Sequence, residues 1–193
     1  MPPDEHWIRV DVEPGRGDLL LDFQGFDRFP FPDGSVECIY GSHVFEHISI
    51  YRSQRVFEEC ARVLRPAGVM RMVPPDVRKS IDSYLAADWS FDLFRRRRAR
   101  ATAQWGIENY TLFDCLREDF LSRSAQARLG SNALAHQNAW DFETLERDLR
   151  AAGFTTVARS SFQGSHHEFF AFEGTYPSEA NESDRSIYVE TTM

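Results

Sequence analysis

The sequence has 193 residues, enough for one domain with a buried core and too few for two of ordinary size. Its 42% hydrophobic and 27% charged residues exclude a disordered chain. The net charge of −8, from 22 basic and 30 acidic residues, excludes nucleic acid as a bulk electrostatic partner.

Trp7 to Val12 is a short apolar-rich run stopped by Glu13-Pro14-Gly15, and it predicts a strand ended by a turn. Leu19 to Phe23 and Val36 to Tyr40 predict two more strands, their continuous apolar character matching a sheet covered on both faces. Tyr51 to Arg65 has helical periodicity, with Phe57, Cys60, Ala61 and Leu64 on one face and Pro66 and Gly68 as its stop. Val69 to Val73 predicts the next strand, and strand–helix–strand alternation is the α/β signature. Asp76 to about Leu129 is helical in character, and within it Arg95 to Arg98 predict a solvated helix face. Phe142 opens a further helix, with Asp141 as N-cap and Gly153 as stop. Thr155 to Ser161 and Ile187 to Thr192 predict the last strands, separated by a polar loop from Tyr176 to Arg185.

Cys38, Cys60 and Cys115 form no C-x-x-C pair, which removes zinc-knuckle and thioredoxin-type readings and fits a reducing compartment. No apolar run approaches the ~20 residues of a membrane span, so a soluble, cytoplasmic protein without membrane or nucleic-acid partners is expected.

In open α/β sheets ligands bind outside the carboxyl ends of the strands. Those ends carry Asp11, Asp22, Phe23 and the run from Gly41 to His47. A carboxylate at such a position can accept both hydroxyls of a ribose, or it can cap the turn that follows; Asp11 and Asp22 suit either role. His43-Val-Phe-Glu-His47 also matches the H-x-x-E-H pattern of inverted zinc peptidases. Three fixed positions arise readily by chance, so no metal is expected. The pair His166-His167 reads as exposed loop residues, because adjacent strand positions point to opposite faces.

Two longer segments carry a resemblance to a known family. Phe29 to Ile48, containing Phe-Pro-Asp-Gly-Ser-Val-Glu-Cys-Ile-Tyr-Gly-Ser-His-Val-Phe-Glu-His, resembles the region of the fourth strand in class I S-adenosylmethionine-dependent methyltransferases. Glu59 to Asp76 resembles the helix and fifth strand that follow, with Ala67 standing where a glycine is usual. His136 to Phe154 and Ser186 to Glu190 are similar to the late helix and last strand of a subgroup that accompanies cell-surface sugar biosynthesis.

The resemblance implies an α/β fold, a Rossmann-like, mostly parallel sheet with flanking helices. It also implies N-terminal truncation, since the family's first strand and Gly-rich loop would precede Trp7. A competing alignment makes Val10 to Gly17 a degraded Gly-rich loop, but the twelve positions from there to Phe29 cannot hold a strand, a helix and a strand.

On this resemblance Asp11 holds the ribose of S-adenosylmethionine, and Asp22 and Phe23 flank its adenine. Ser42 and His43 line its methionine end, and Glu46 and His47 face the reaction site. His43 and His47 are candidate bases, because a neutral imidazole accepts a proton near pH 7. The expected function is methyl transfer to a small-molecule or carbohydrate-like acceptor. The expected organisation is one domain over residues 1–193 with a helical cap at about 77–135. The alternative is a methyltransferase-like scaffold or partner subunit without cofactor, and a homodimer through open sheet edges is a further expectation.

Overall fold

The computed structural model of the chain describes residues 7–25, 27–121, 135–165, 167, 170, 179 and 182–193. The first two strands are shorter than their apolar runs. β1 (Val10–Asp11) and β2 (Leu19–Leu20) pair in parallel as a two-stranded sheet of their own. A tight loop joins them. Gly15 sits at a φ of 80°, and Gly17 lies so near the preceding strand that a Cβ there would come 2.7 Å from the Arg9 carbonyl oxygen. That carbonyl accepts from the amides of Asp18 and Leu19, and the Arg9 guanidinium pairs with the Asp18 carboxylate at 2.9 Å.

The main sheet has four strands in the order β3, β4, β6, β5. β3 (Val36–Ser42) and β4 (Leu64–Val73) are parallel and linked by the crossover helix α1 (Ile50–Val63). β6 (Val189–Thr192) runs against both β4 and β5 (Thr156–Arg159), so three strands share one direction and a reversed strand lies between two of them. This is the α/β class that the strand–helix–strand pattern predicts, in the Rossmann-like form that the resemblance implies.

α1 begins and ends within about two residues of its apolar period, and that period buries Val56, Phe57, Cys60 and Ala61. α5 (Phe142–Ala151) packs beside it, with the Asp141 carboxylate accepting from the Thr144 amide at 2.9 Å as the sequence predicts for its N-cap. Together they cover Met70, Met72, Ile187 and Val189 on one face of the sheet, and Trp140 wedges between Phe57 and the Asp148 carboxylate.

The opposite face contains a charge. Side chains alternate along β4, so Val69 and Arg71 point away from Met70 and Met72. Val69 joins Phe170, Trp7, Cys38 and Tyr40 in a small apolar cluster, while Arg71 is fully buried. Its guanidinium donates to Glu179 at 2.8 Å, to Glu190 at 2.9 Å, and to Ser160 and the Ser161 carbonyl.

The stop at Pro66 to Gly68 lies within β4 rather than before it. Leu64 pairs with Val36, but the next matched pair is Cys38 with Val69, so Arg65 to Gly68 bulge out of register. Ala67 occupies this bulge with a φ of 63°, the left-handed region that disfavours a Cβ. The family's usual glycine is therefore explained by backbone geometry. Ala67→Gly is expected to stabilise the protein by roughly 0.5–1 kcal/mol, the relief of left-handed strain less the greater freedom of glycine in the unfolded chain. A thermal melt of the variant checks it; a lowered midpoint would show that the bulge relaxes without help.

Residues 76–121 form the helices α2 (Val77–Leu85), α3 (Asp92–Trp105) and α4 (Leu112–Arg117), built on their own cluster of Phe94, Ala101, Tyr110 and Cys115. Within the basic run of α3, Arg95, Arg96 and Arg98 are exposed. Arg97 differs: it is buried, donating to Asp119 and to the Cys115 carbonyl at 2.6 Å each. His166 and half of the stretch from Tyr176 to Arg185 lie outside the described residues.

Candidate active site

The carboxyl ends of β1, β2 and β3 converge on an open cleft whose empty volume, counting space continuous with solvent, is about 730 Å³. Its walls include Asp11, Glu13, Arg16, Asp22, Phe23, Gln24, His43 and His47. Five of the residues singled out from the sequence thus meet in one place: Asp11, Asp22, Phe23, His43 and His47. Ser42 is half-buried at the end of β3 and does not line the cleft, and Glu46 lies beneath the wall with 1% of its surface exposed.

Both aspartates cap turns and also face the cleft. Asp11 Oδ1 accepts from the Glu13 amide at 2.9 Å, and Asp22 Oδ1 accepts from the Gln24 amide at 2.9 Å. Each turn uses one carboxylate oxygen. The two readings of these residues therefore coexist rather than compete.

Gln24 was not foreseen. Its Nε2 donates to the His47 carbonyl at 2.8 Å and its Oε1 accepts from the Ser49 amide at 3.3 Å, which ties the loop after β2 to the turn before α1. Nothing in the local pattern marks it, since both partners are more than twenty residues away.

β3 ends in a sharp change of direction. Gly41 lies against the Phe45 ring, where a Cβ would come within 2.4 Å of the ring edge. His43 then takes a left-handed φ of 51°, with its amide donating to the Val73 carbonyl at 3.0 Å. A non-glycine residue held in that region is the kind of local strain that clusters at functional sites. A short 3₁₀ turn, Phe45–His47, follows. His43 and His47 therefore do not share a helical face as the H-x-x-E-H pattern requires.

The imidazole of His43 sits between two carboxylates. Nδ1 lies 3.1 Å from Glu46 Oε1, and Nε2 lies 2.5 Å from Glu182 Oε2 and 3.2 Å from the Ser186 hydroxyl. Burial lowers its pKa, but the bonds to Glu182 and Glu46 outweigh this and push it up to about 9. His43 is thus charged at neutral pH, contrary to the neutral imidazole that a base requires. Glu182 is raised by burial but brought down to about 2 overall by His43 and Arg185.

His47 is placed differently. Its Nδ1 lies 3.3 Å from the Ala135 carbonyl, and its ring stacks edge-on against that of His136 at a centroid distance of 5.2 Å. The amides of Gln137 and Asn138 donate to the Glu46 carbonyl at 2.8 and 3.1 Å, which pins this segment against the 3₁₀ turn. Burial lowers the pKa of His136.

The fold places the chain in the Rossmann-like α/β class, with its cleft at the strand ends. Residues 14–72 match the model of a family described as a methyltransferase domain. Solved structures resemble it distantly. A S-adenosylmethionine-dependent methyltransferase from Archaeoglobus fulgidus is 13% identical, with 95% of this chain and 74% of that one aligned at a TM-score of 0.49. One from Mesorhizobium loti is 16% identical, with 94% and 72% aligned at 0.47. A Haloferax volcanii complex of the Trm112 methyltransferase activator with a methyltransferase matches at 14% identity and 0.47, covering 90% of this chain. The chain spans 60% of the length of that structure's matching chain and of a Thermotoga maritima methyltransferase. No curated protein matches the sequence. No helix among the described residues is long and apolar enough to cross a membrane.

Proposed function

We propose that the chain transfers a methyl group from S-adenosylmethionine to a small-molecule or carbohydrate-like acceptor, in one domain with a helical cap at about 77–135. The observation that carries this reading is the convergence of Asp11, Asp22, Phe23, His43 and His47 on one cleft at the ends of parallel strands, beside a segment of methyltransferase type. The cleft suits the donor chemically. Asp11 and Asp22 each keep a carboxylate oxygen beyond the one their turn uses, suitable for ribose hydroxyls, and Phe23 offers a ring to an adenine. The acidic lining also favours a sulfonium cation.

When bound, the donor supplies an activated methyl group for in-line displacement. The chain's own task is to align an acceptor with it and to exclude water. A proton released by the acceptor has an acceptor nitrogen in the cleft wall: the carbonyl of Ala135 can only accept, so His47 carries its proton on Nδ1 and keeps the lone pair of Nε2. His43, charged and held by Glu46 and Glu182, acts as a positioning residue in the wall.

Calorimetric titration with S-adenosylmethionine and S-adenosylhomocysteine tests the reading. Binding in the micromolar range is the expected result, and Asp11→Asn is expected to weaken it by more than about 1 kcal/mol, the loss of a charged hydrogen-bond acceptor. This variant keeps the oxygen that caps the turn, so a lowered affinity reports on the ligand. No binding of either compound by the folded protein would overturn the proposal.

A further inference from the structure

Glu46, His47 and His136 bring ligand atoms within 4.8 Å of one another, and from this cluster we infer a binding site for a divalent transition-metal ion of the zinc type. The cluster carries three features of such a site.

The first is tautomer. His47 Nδ1 lies against the Ala135 carbonyl and His136 Nδ1 lies 2.8 Å from the Asp119 carbonyl. A carbonyl oxygen only accepts, so both rings hold their proton on Nδ1 and turn a lone pair outward from Nε2. This is the backbone support that orients metal-ligating histidines.

The second is an uncompensated carboxylate. Glu46 is buried, one of its oxygens is engaged by His43, and Oε2 has no hydrogen-bond partner among the described residues. A buried carboxylate oxygen left alone keeps an uncompensated desolvation cost that a bound cation removes.

The third is the approach of acceptor to acceptor. His47 Nε2 lies 3.9 Å from Glu46 Oε1, two atoms with lone pairs and no hydrogen of their own to share. A positive charge there, a bound cation or a proton on Nε2, makes that approach favourable. Zinc bonds of about 2.0–2.2 Å set tetrahedral ligands roughly 3.3 Å apart, so the three side chains need to close by about 1.5 Å at most.

The set is two imidazoles and one carboxylate, which suits zinc, cobalt or manganese better than calcium or magnesium. Three protein ligands leave a coordination position for water or a substrate oxygen. Because His47 also lines the cleft, the ion would sit at its edge and take the lone pair otherwise available for a proton. That last role rests on the methyl-transfer reading; metal binding itself does not. The partner of the H-x-x-E-H segment is therefore His136, some ninety residues on, and not His43.

The test uses the full-length protein without a histidine tag, stripped with chelator and titrated with Zn²⁺ by calorimetry and with Co²⁺ by visible absorption. One equivalent is expected to bind, with a cobalt spectrum of nitrogen and oxygen ligation. His136→Ala is expected to weaken binding at least tenfold, whereas His167→Ala, outside the cluster, should leave it unchanged. Absence of saturable binding, or equal affinity in His136→Ala, would overturn the site. Should that variant fail to fold, the Nε2 resonances of His47 and His136 in the wild type decide the matter: both shift on adding Zn²⁺, or the proposal fails. None of these readouts involves S-adenosylmethionine, so a negative result leaves the proposed methyl transfer standing.

Discussion

Arg71→Met is expected to lower the free energy of unfolding by roughly 3–5 kcal/mol, because it leaves two carboxylates without their cation in the interior. Arg71 is fully buried, as is Glu179, and Glu190 is mostly so. The guanidinium also holds Ser160 and the Ser161 carbonyl, so one side chain ties β4, β6 and the segment after β5 together. Methionine fills much of the same volume, which separates loss of the ion pair from loss of packing. Urea unfolding measures the effect. Removing Glu179 charge as well, in Arg71→Met with Glu179→Gln, should recover part of the loss, since the damage lies in the stranded carboxylate. A cost below about 1 kcal/mol for the single variant would mean that water reaches Glu179 and the network contributes little.

Trp140→Ala should cost a similar amount, about 3–5 kcal/mol, for a different reason: it opens a large cavity in a core that cannot collapse around it. Trp140 is 1% exposed, packs on Phe57 at a ring distance of 6.0 Å, and donates from its indole nitrogen to Asp148 at 3.0 Å. Its carbonyl accepts from the Val77 amide, so the same residue fixes the start of α2. Trp140→Phe keeps most of the apolar volume and should lose distinctly less. Equal losses in the two variants would shift the weight from packing to the indole–Asp148 bond. Far- and near-ultraviolet circular dichroism during the melt distinguishes a loosened core from global unfolding.

Much of this architecture is legible in the sequence where the governing forces are local. The period of Phe57, Cys60 and Ala61 defines α1, and the oxygen of Asp141 marks the start of α5. The cleft is legible through a rule of topology rather than a motif: strand ends in parallel sheets face one side, so Asp11, Asp22, Phe23, His43 and His47 could be gathered without knowing any contact. What fails is whatever depends on distant partners. Val69 to Val73 reads as an apolar strand, yet its middle residue is an arginine whose buried partner Glu179 is 108 residues away. His43 reads as a neutral base because Glu182 is invisible from its own segment. His136 carries no signal at all until the fold sets it against His47. The bulge at Arg65 to Gly68 lies between these cases, since its proline and glycine announce a break but not that the strand resumes in register with β3 beyond it.

The position of β6 has a consequence for how the protein is made. In the described sheet β5 pairs with β6 and with no other strand, and β6 is read from residues 189–192, more than a hundred residues after β4. During synthesis, β3, α1 and β4 can assemble early, because their contacts are close in sequence. The edge of β4 that will receive β6 then stays bare while more than a hundred further residues are added, and β5 emerges with nothing to pair with. Joining of the two halves waits for residues 189–192, a long loop closure of the kind that slows folding. Throughout that interval the nascent chain presents an unpaired strand edge, the surface through which incomplete chains associate with one another.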